Sequence, residues 1–105
     1  MGRLSKFFDK PEKWVQGTLV KAKFDGTKCY CILGGYAKVS GLLDKGIDVY
    51  DIRPTPTLKK IYNALSKKWK SIFTEEDAIE AIYNFNDDKT TTFKKVKNLL
   101  AKAGV

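Results

Sequence analysis

Residues 57–69 read TLKKIYNALSKKW, and this stretch decides the fold class. Its apolar residues recur at helical spacing while lysines fill the positions between them, so one helix face is apolar and the opposite face is charged. The stretch therefore predicts one amphipathic helix over residues 57–69, with Trp69 on its buried face. The apolar residues of that face are Leu58, Ile61, Tyr62, Leu65 and Trp69.

Two further helices are predicted on the carboxyl side of this stretch. Thr74 precedes three acidic residues, a pattern typical of a helix start, and this helix should end near Asn84. A polar loop is expected over residues 86–88. Thr90 or Thr91 should then cap a last helix that ends at Gly104. The inward face of that helix is predicted to be Phe93, Val96, Leu99, Leu100 and Ala103.

On the amino side, two short helical segments are expected before a hairpin. The first includes Leu4, and the second opens at Pro11, carries Trp14 and ends at Gly17. Residues 18–24 alternate between apolar and charged side chains, and a turn at Asp25-Gly26 follows, so a β-hairpin is predicted at about 19–30. The chain should then form a short helix over about 30–39 and a long connection over 40–57, with an extended piece at 47–52.

Together these segments predict a mainly α fold, a compact bundle of four to five short helices with a small β-hairpin. The length of 105 residues suits a single domain, 1–105, and 43% hydrophobic with 30% charged residues is typical of a globular protein. No apolar run reaches the ~18 residues that a membrane span needs. Since the first residues also lack the apolar stretch of a secretory signal, we expect a cytoplasmic protein with no membrane partner.

The absence of histidine excludes several kinds of site. Without it the chain cannot build a Ser-His or Cys-His nucleophile or a His-ligated zinc site. Cys29 and Cys31 supply only two of the four ligands that a structural zinc site needs. Because they are two residues apart, they are also poorly placed for a disulfide, so buried thiols are expected. Asp87 and Asp88 are only a weak signal for a hard cation. We therefore expect that the protein has no enzymatic activity and binds neither a metal nor a cofactor.

The formal net charge of +8 comes from 18 lysines and two arginines against 12 acidic residues. The lysines concentrate in two stretches, residues 59–70 and residues 89–102, either of which is also compatible with a plain solvated helix face. Because bidentate contacts to bases and phosphates are made by arginine, any nucleic acid should be bound through its backbone. The candidate basic surface is Lys59, Lys60, Lys67, Lys68, Lys94, Lys95 and Lys97.

Three short motifs place polar side chains beside apolar, glycine-marked segments. They are Trp14-Val15-Gln16-Gly17, Cys31-Ile32-Leu33-Gly34 and Phe85-Asn86-Asp87. Their amide and carboxylate groups suit recognition of a neutral polar group such as a base edge, a ribose or a peptide backbone. The alternative is structural, with the same groups bonded to nearby backbone and Trp14 packed in the core. The candidate ligand or partner residues are Trp14, Gln16, Cys31, Gly34, Asn86 and Asp87.

The order W-x-Q-G, C-x-x-G and (W/F)-N-D, followed by a Thr-capped amphipathic helix, resembles an uncharacterised family. This is a small domain of unknown function found in bacteriophage and bacterial hypothetical proteins. The present chain departs from that family at Gly35, where alanine is usual, and at Phe85, where tryptophan is usual. The resemblance implies a phage-related origin and a similar architecture, and it implies no activity.

Three functions follow from these observations. The first is a phage accessory protein that docks on a host or phage protein with an acidic surface and modulates it in the host cell cytoplasm. The second is a protein that binds DNA or RNA without sequence preference. The third is a pocket for a small, nucleotide-like polar ligand around the motif residues. The sequence gives no indication of oligomeric state.

Overall fold

The computed structural model describes residues 2–105, and helices dominate this part of the chain. Four of its helices span nine residues or more, so the predicted mainly α architecture with a small hairpin is confirmed. None of the helices within residues 2–105 has the length and apolarity to cross a membrane. The helices are α1 (Arg3–Phe7), α2 (Ile32–Ser40), α3 (Pro56–Ala64), α4 (Lys67–Ile72), α5 (Ala78–Asp87) and α6 (Phe93–Ala103), and the strands are β1 (Val20–Ala22) and β2 (Lys28–Tyr30).

Helix α3 is the centre of the core, because it packs against both α5 and α6. Its Leu58 and Ile61 are fully buried together with Ile82 of α5 and Leu100 of α6. Helix α2 joins the same core through its contacts with α1 and α5. Burial of each large aliphatic side chain contributes about 1.5–3 kcal/mol. Since helices this short are marginal in isolation, packing accounts for most of their stability.

The prediction of a single helix over residues 57–69 is wrong, because the chain forms two helices there. Helix α3 ends at Ala64, and Leu65 follows with a ψ of 155°, which is extended backbone. The Leu65 side chain stays buried in the core, so the apolar pattern is preserved across the break. Helix α4 then restarts at Lys67 in a new direction, and Trp69, which was expected to be buried, is only half-buried.

The hairpin and the following helix agree with expectation. Strands β1 and β2 pair antiparallel in a register that places Val20 opposite Tyr30. The turn between them contains Gly26 with a φ of +84°, a conformation that favours glycine. The backbone N–H of Cys31 bonds to the Leu19 carbonyl at 3.1 Å, and α2 starts at the next residue. The strands therefore place the Cys31 motif directly at a helix start.

Three local expectations are corrected. Residues 49–51 form a 3₁₀ turn inside the piece expected to be extended, because Asp48 accepts a hydrogen bond from the Tyr50 backbone N–H at 2.9 Å. Thr92, rather than Thr90 or Thr91, caps α6 by accepting from the Lys95 backbone N–H at 3.3 Å. The third concerns residues 86 and 87, which belong to the last turn of α5 and not to a loop.

The two ends of the described chain lie together. The Val105 carbonyl accepts hydrogen bonds from the backbone N–H groups of Leu4 at 2.6 Å and Ser5 at 3.2 Å. These are donors at the start of α1 that have no partner inside the helix itself. The Val105 side chain and Leu4 are both buried, and α1 packs on α6. The first helix therefore depends on the last residues for its position.

Candidate functional site

The three sequence motifs meet at the side chain of Asn86. Its Oδ1 accepts hydrogen bonds from the Trp14 indole Nε1–H at 2.7 Å and from the Ile32 backbone N–H at 3.0 Å. Its Nδ2 donates to the Val15 carbonyl at 3.1 Å and to Asp87 Oδ1 at 2.9 Å. Two donors and two acceptor positions are all that an asparagine amide has, so Asn86 uses its full capacity inside the chain.

This arrangement follows from the position of Asn86 on α5. The residue is 0% exposed, so an unpaired amide there would leave buried polar atoms without water. Its place in the last turn of α5 brings it beside the Trp14 segment and beside the start of α2 at once. One side chain thus connects three segments that are distant in the sequence.

Gln16 and Gly17 complete the end of α5. The Gln16 Nε2 donates to the carbonyls of Asn86 at 2.9 Å and Asp88 at 2.8 Å, and the Gly17 N–H donates to Asp87 Oδ1 at 2.9 Å. The last carbonyls of a helix have no partner within it, so these bonds act as a C-terminal cap supplied by a remote segment. Gly17 has a φ of +83°, which favours glycine at that position.

Cys31 occupies the N-cap of α2. Its Sγ accepts a hydrogen bond from the Gly34 backbone N–H at 3.3 Å. Burial raises the pKa of the Cys31 thiol from 9.0 to about 11, although the bond from Gly34 acts in the opposite direction. The thiol is therefore protonated near neutral pH, and the nucleophilic thiolate form is disfavoured.

Gly34 allows a backbone, rather than a ligand, to approach α2. A Cβ atom built on Gly34 would lie 2.0 Å from the Leu19 carbonyl oxygen, and one on Gly35 would lie 2.5 Å from the Phe8 ring. Gly34 also borders a shallow cavity of about 310 Å³ whose other walls include Ile47 and Tyr50. The amide and thiol groups of the motifs do not line that cavity, so it does not join them to a common ligand space.

The motif residues thus form one cluster whose hydrogen bonds are made within the chain. We call this set the motif cluster: Trp14, Gln16, Cys31, Gly34, Asn86 and Asp87. Gln16 and Asp87 are exposed, whereas Asn86 and Cys31 are buried. Within residues 2–105 no group of three or more acidic or cysteine side chains is arranged to hold a metal ion. Binding of a small polar ligand there would require several of these internal bonds to be exchanged.

The two lysine-rich stretches also come together, and they do so at a groove. The groove lies between α4, the end of α5 and α6, and has a volume of about 480 Å³. We call it the basic groove. Its floor contains Leu65, Trp69, Phe85 and Leu99, and its edges carry Lys68, Lys95 and Lys102.

The aromatic floor of the basic groove is ordered by contacts between neighbours. The ring centroids of Trp69 and Phe85 are 6.1 Å apart in an edge-to-face arrangement. Lys68 Nζ lies 5.0 Å from the centroid of the Trp69 ring, a distance typical of a cation–π contact. Both rings are half-buried, so each keeps a part that faces solvent in the groove.

The remaining lysines of the predicted basic surface have different surroundings. Lys59 lies 4.0 Å from Glu75, and Lys60 borders another cavity near α1. Lys97 donates to the Ser5 carbonyl at 2.6 Å and so ties α6 to α1, whereas Lys67 and Lys94 are exposed. A plain solvated face of α6 is therefore compatible with Lys94, whereas Lys95 donates to the Thr90 carbonyl at 2.9 Å and Lys97 to the Ser5 carbonyl.

One carboxylate lies close to the basic groove. Asp88 accepts hydrogen bonds from the side chain and the backbone N–H of Thr90, and these bonds lower the pKa of the Asp88 carboxyl below its usual 3.8. Lys68 and Lys95 act on it in the same direction. Asp88 is therefore ionised and partly offsets the charge of the three lysines at the groove.

The sequence singles out the six residues of the motif cluster and Lys68 and Lys95 of the basic groove, but it does not show how they combine. Trp69 was placed in the core and Phe85 in a motif, yet the two rings share the groove floor. The two lysine stretches are visible in the sequence. Only the packing of α3 against α6 brings the two stretches side by side and forms the groove. Tyr30 and Tyr36 are buried, so neither ring is available for stacking on a base.

Comparison with known proteins gives a family match. A family model described as "Family of unknown function (DUF6197)" matches residues 10–104, which is nearly the whole chain. The match includes all residues of the motif cluster and of the basic groove. Neither the curated proteins nor the solved structures contain a significant match to this sequence.

Proposed function

Since the chain belongs to DUF6197, a family of unknown function, its role has to be inferred from its own surface, and we propose that it is a small, basic, non-enzymatic binding module. In this proposal it docks on an acidic surface of another protein. The observation that carries the proposal is the convergence of two lysine-rich stretches on the basic groove. Tryptophan is enriched at the energetic centres of protein interfaces, and the surrounding lysines supply the charge that steers an acidic partner.

The charge distribution supports an acidic partner. Within residues 2–105 three lysines lie within reach of a carboxylate, namely Lys13, Lys38 and Lys59, and none of these lines the groove. Apart from Asp88, the groove therefore presents uncompensated positive charge. Such a surface attracts an acidic partner over several ångströms and accelerates its association.

We also propose a phage-related role for the module. The support is the resemblance of the three motifs to a family found in bacteriophage and bacterial proteins. In that setting the protein would act in the host cytoplasm as an accessory protein. If the acidic surface that it covers is one that the partner uses to bind something else, docking would inhibit the partner.

A second candidate function is binding of DNA or RNA through the same groove. The observation in its favour is the half-buried Trp69 beside cations, since bases stack on such rings while lysines contact the phosphates. Against it, Lys68 stands over the indole ring, and the groove edges carry lysine rather than arginine. We therefore rank it below the protein partner.

Affinity capture with matched charge reversals tests the proposed function. We expect the wild-type protein to retain a partner from a nuclease-treated bacterial lysate, and the Lys68→Glu, Lys95→Glu double variant to lose it. The control is Lys21→Glu with Lys28→Glu, which changes the net charge equally at the exposed hairpin. If the control loses the partner as completely as the groove variant does, general charge explains the capture and the proposed face is wrong.

Fluorescence anisotropy with labelled DNA and RNA distinguishes the second candidate. Binding through several phosphates should fall by orders of magnitude between about 50 and 200 mM salt. We expect weak binding of all four single- and double-stranded probes. Tight binding with a steep salt dependence that is lost in the groove variant would instead make nucleic acid the ligand.

A further inference from the structure

We infer that the basic groove binds an acidic peptide segment that carries one apolar anchor residue, an inference that rests on the proposed function. It adds the chemistry of the partner: carboxylates for the edges of the groove and one large apolar side chain for its floor.

The floor of the groove is apolar and its edges are cationic. Leu65 and Leu99 are buried beneath it, while the half-buried rings of Trp69 and Phe85 keep a part exposed to the groove. An apolar side chain placed there would cover ring surface that solvent now contacts, which is favourable in proportion to the area removed from water. A phosphate or sugar on that floor would gain nothing comparable.

The cations are spaced along one helix face. Lys95 and Lys102 of α6 are seven residues apart, with Asn98 and Leu99 between them on the same face. Two helical turns correspond to roughly 10 Å between their Cα atoms, and Lys95 Nζ donates to the Thr90 carbonyl at 2.9 Å on the groove lining. Lys68 of α4 lies on the opposite edge, where it contacts Trp69. Carboxylates flanking a single anchor match this distribution of charge, of which Asp88 offsets only a part beside Lys68 and Lys95.

Trp69 also offers a donor that the fold does not use. The indole N–H of Trp14 donates to Asn86 at 2.7 Å, whereas that of Trp69 has no acceptor among residues 2–105. This N–H can therefore donate to a carbonyl or carboxylate oxygen that a partner supplies, and tryptophan is enriched at interfaces for this reason. A peptide segment carries both kinds of oxygen.

The dimensions suit a peptide segment rather than a broad protein face. The volume of about 480 Å³ is within the ~300–1,000 Å³ range of ligand pockets. Binding of bases is disfavoured because Lys68 covers one face of the Trp69 ring, where a base would have to stack. A short acidic segment can bind while Lys68 stays over the Trp69 ring, and one of its carboxylates can pair with the Lys68 ammonium.

The test is a titration followed by ¹H–¹⁵N NMR with three defined probes at low salt. The first is an acidic peptide of about twelve residues, long enough to pass the Lys95–Lys102 edge, with a single central Phe and Glu, Asp and Ser elsewhere. The second has Ala in place of Phe, and the third is an oligothymidylate of equal charge. The cross-peak of the Trp69 indole N–H reports on the groove, and that of Trp14 serves as an internal control.

We expect the Phe peptide to shift the Trp69 cross-peak and α6 amides while the Trp14 cross-peak stays in place. The Ala peptide should bind at least about 10-fold more weakly, as expected for loss of one buried aromatic anchor. Lys95→Glu with Lys102→Glu should reduce the affinity for the Phe peptide by about 10-fold or more. The Lys21→Glu, Lys28→Glu control should stay within about 2-fold of the wild type, which also shows that the effect is local.

The opposite outcomes separate the two levels of the proposal. Equal affinity for the Phe and Ala peptides at the groove would overturn the anchor while leaving docking on acidic surfaces intact. If neither peptide shifts the cross-peaks of groove residues, the basic groove is not the peptide-binding site. The capture experiment alone then tests the proposed function. Tighter binding of the oligothymidylate than of the Phe peptide would overturn both in favour of nucleic acid.

Discussion

Asn86 should contribute more to stability than any other polar residue of the motif cluster. In Asn86→Ala the indole N–H of Trp14, the N–H of Ile32 and the carbonyl of Val15 all lose their partner. Each buried group left unsatisfied costs about 1–3 kcal/mol, so we expect a loss of about 3 kcal/mol or more in the free energy of unfolding. Urea unfolding followed by circular dichroism measures it.

The matched control for this change is Asn98→Ala, which removes the same side chain from an exposed position on α6. It should alter the free energy of unfolding by less than about 0.5 kcal/mol. If Asn86→Ala proved equally mild, the amide would be free for other use, and the small-ligand hypothesis for the motif cluster would regain support.

Gly34 and Gly35 are adjacent on α2 and should respond differently to alanine. Alanine at Gly34 would collide with the Leu19 backbone oxygen, whereas alanine at Gly35 meets the Phe8 ring, which is a side chain. We expect Gly34→Ala to destabilise by about 3 kcal/mol and Gly35→Ala by about 1 kcal/mol or less, because the higher helix propensity of alanine offsets part of the strain. Thermal unfolding of both variants tests the order, and a more damaging Gly35→Ala would contradict it.

Cys31 should make the stability of the protein fall at high pH. Its pKa is about 11 in the fold against 9.0 for an ordinary cysteine, so the folded state retains a proton that the unfolded state releases. The resulting stabilisation is complete below pH 9.0 and is lost as the pH rises towards about 11. A difference of this size corresponds to about 3 kcal/mol.

The measurement is urea unfolding at a neutral and an alkaline pH for the wild type and for Cys31→Ser, which keeps a side-chain acceptor at the N-cap of α2. The variant should lose less stability on going to alkaline pH than the wild type does. Cys29→Ser controls for the effect of removing a buried thiol. Equal pH dependence of the wild type and Cys31→Ser would show that burial does not shift this thiol.

At the scale of the elements, the starts of α3 and α6 allow a direct comparison of two threonine caps. Thr55 caps α3 through the Leu58 N–H and also bonds the Tyr36 hydroxyl at 2.8 Å, which links α3 to α2. Thr92 caps α6 and makes no such second bond in the part of the chain described. We therefore expect Thr55→Ala to cost about 2 kcal/mol and Thr92→Ala about 1 kcal/mol, as read from melting temperatures.

Helices α3 and α6 differ in how far the local sequence determines where they begin and end. Thr92 and the apolar stripe of α6 follow local rules, so the helix was predictable apart from the choice among neighbouring threonines. The break after Ala64 was not, because the spacing of Leu58, Ile61 and Leu65 is that of a continuous helix. Leu65 stays in the core although its backbone is extended, so the apolar pattern does not mark the break.

At the scale of the whole molecule, the uneven charge should make stability depend on salt. The net charge is +8, and few of the 18 lysines have a carboxylate partner. Self-repulsion destabilises a compact, highly charged state, and salt screens it. We expect the melting temperature to rise by a few degrees between about 20 and 200 mM sodium chloride. The Lys68→Gln, Lys95→Gln variant should show a smaller rise, and a fall in the melting temperature with salt would contradict the expectation.

The candidate sites were predictable as residues and not as arrangements. The sequence marks Trp14, Cys31 and Asn86 as unusual because polar groups stand beside apolar segments. The Asn86 amide bonds to segments that are 72 and 54 residues away in the sequence. No local pattern predicts such contacts. Likewise the lysine stretches were visible in the sequence, whereas the groove between them arises only when α6 packs on α3.

The bond between Val105 and the start of α1 has a consequence for synthesis of the protein. Leu4 emerges from the ribosome long before its partner does, because at about 5–20 residues per second the intervening chain takes roughly 5–20 s to make. During that interval the apolar side chains of α1 have no C-terminal segment to pack against. Helix α1 can already pack on α2 during that interval, and the bonds of Leu4 and Ser5 to Val105 form only afterwards.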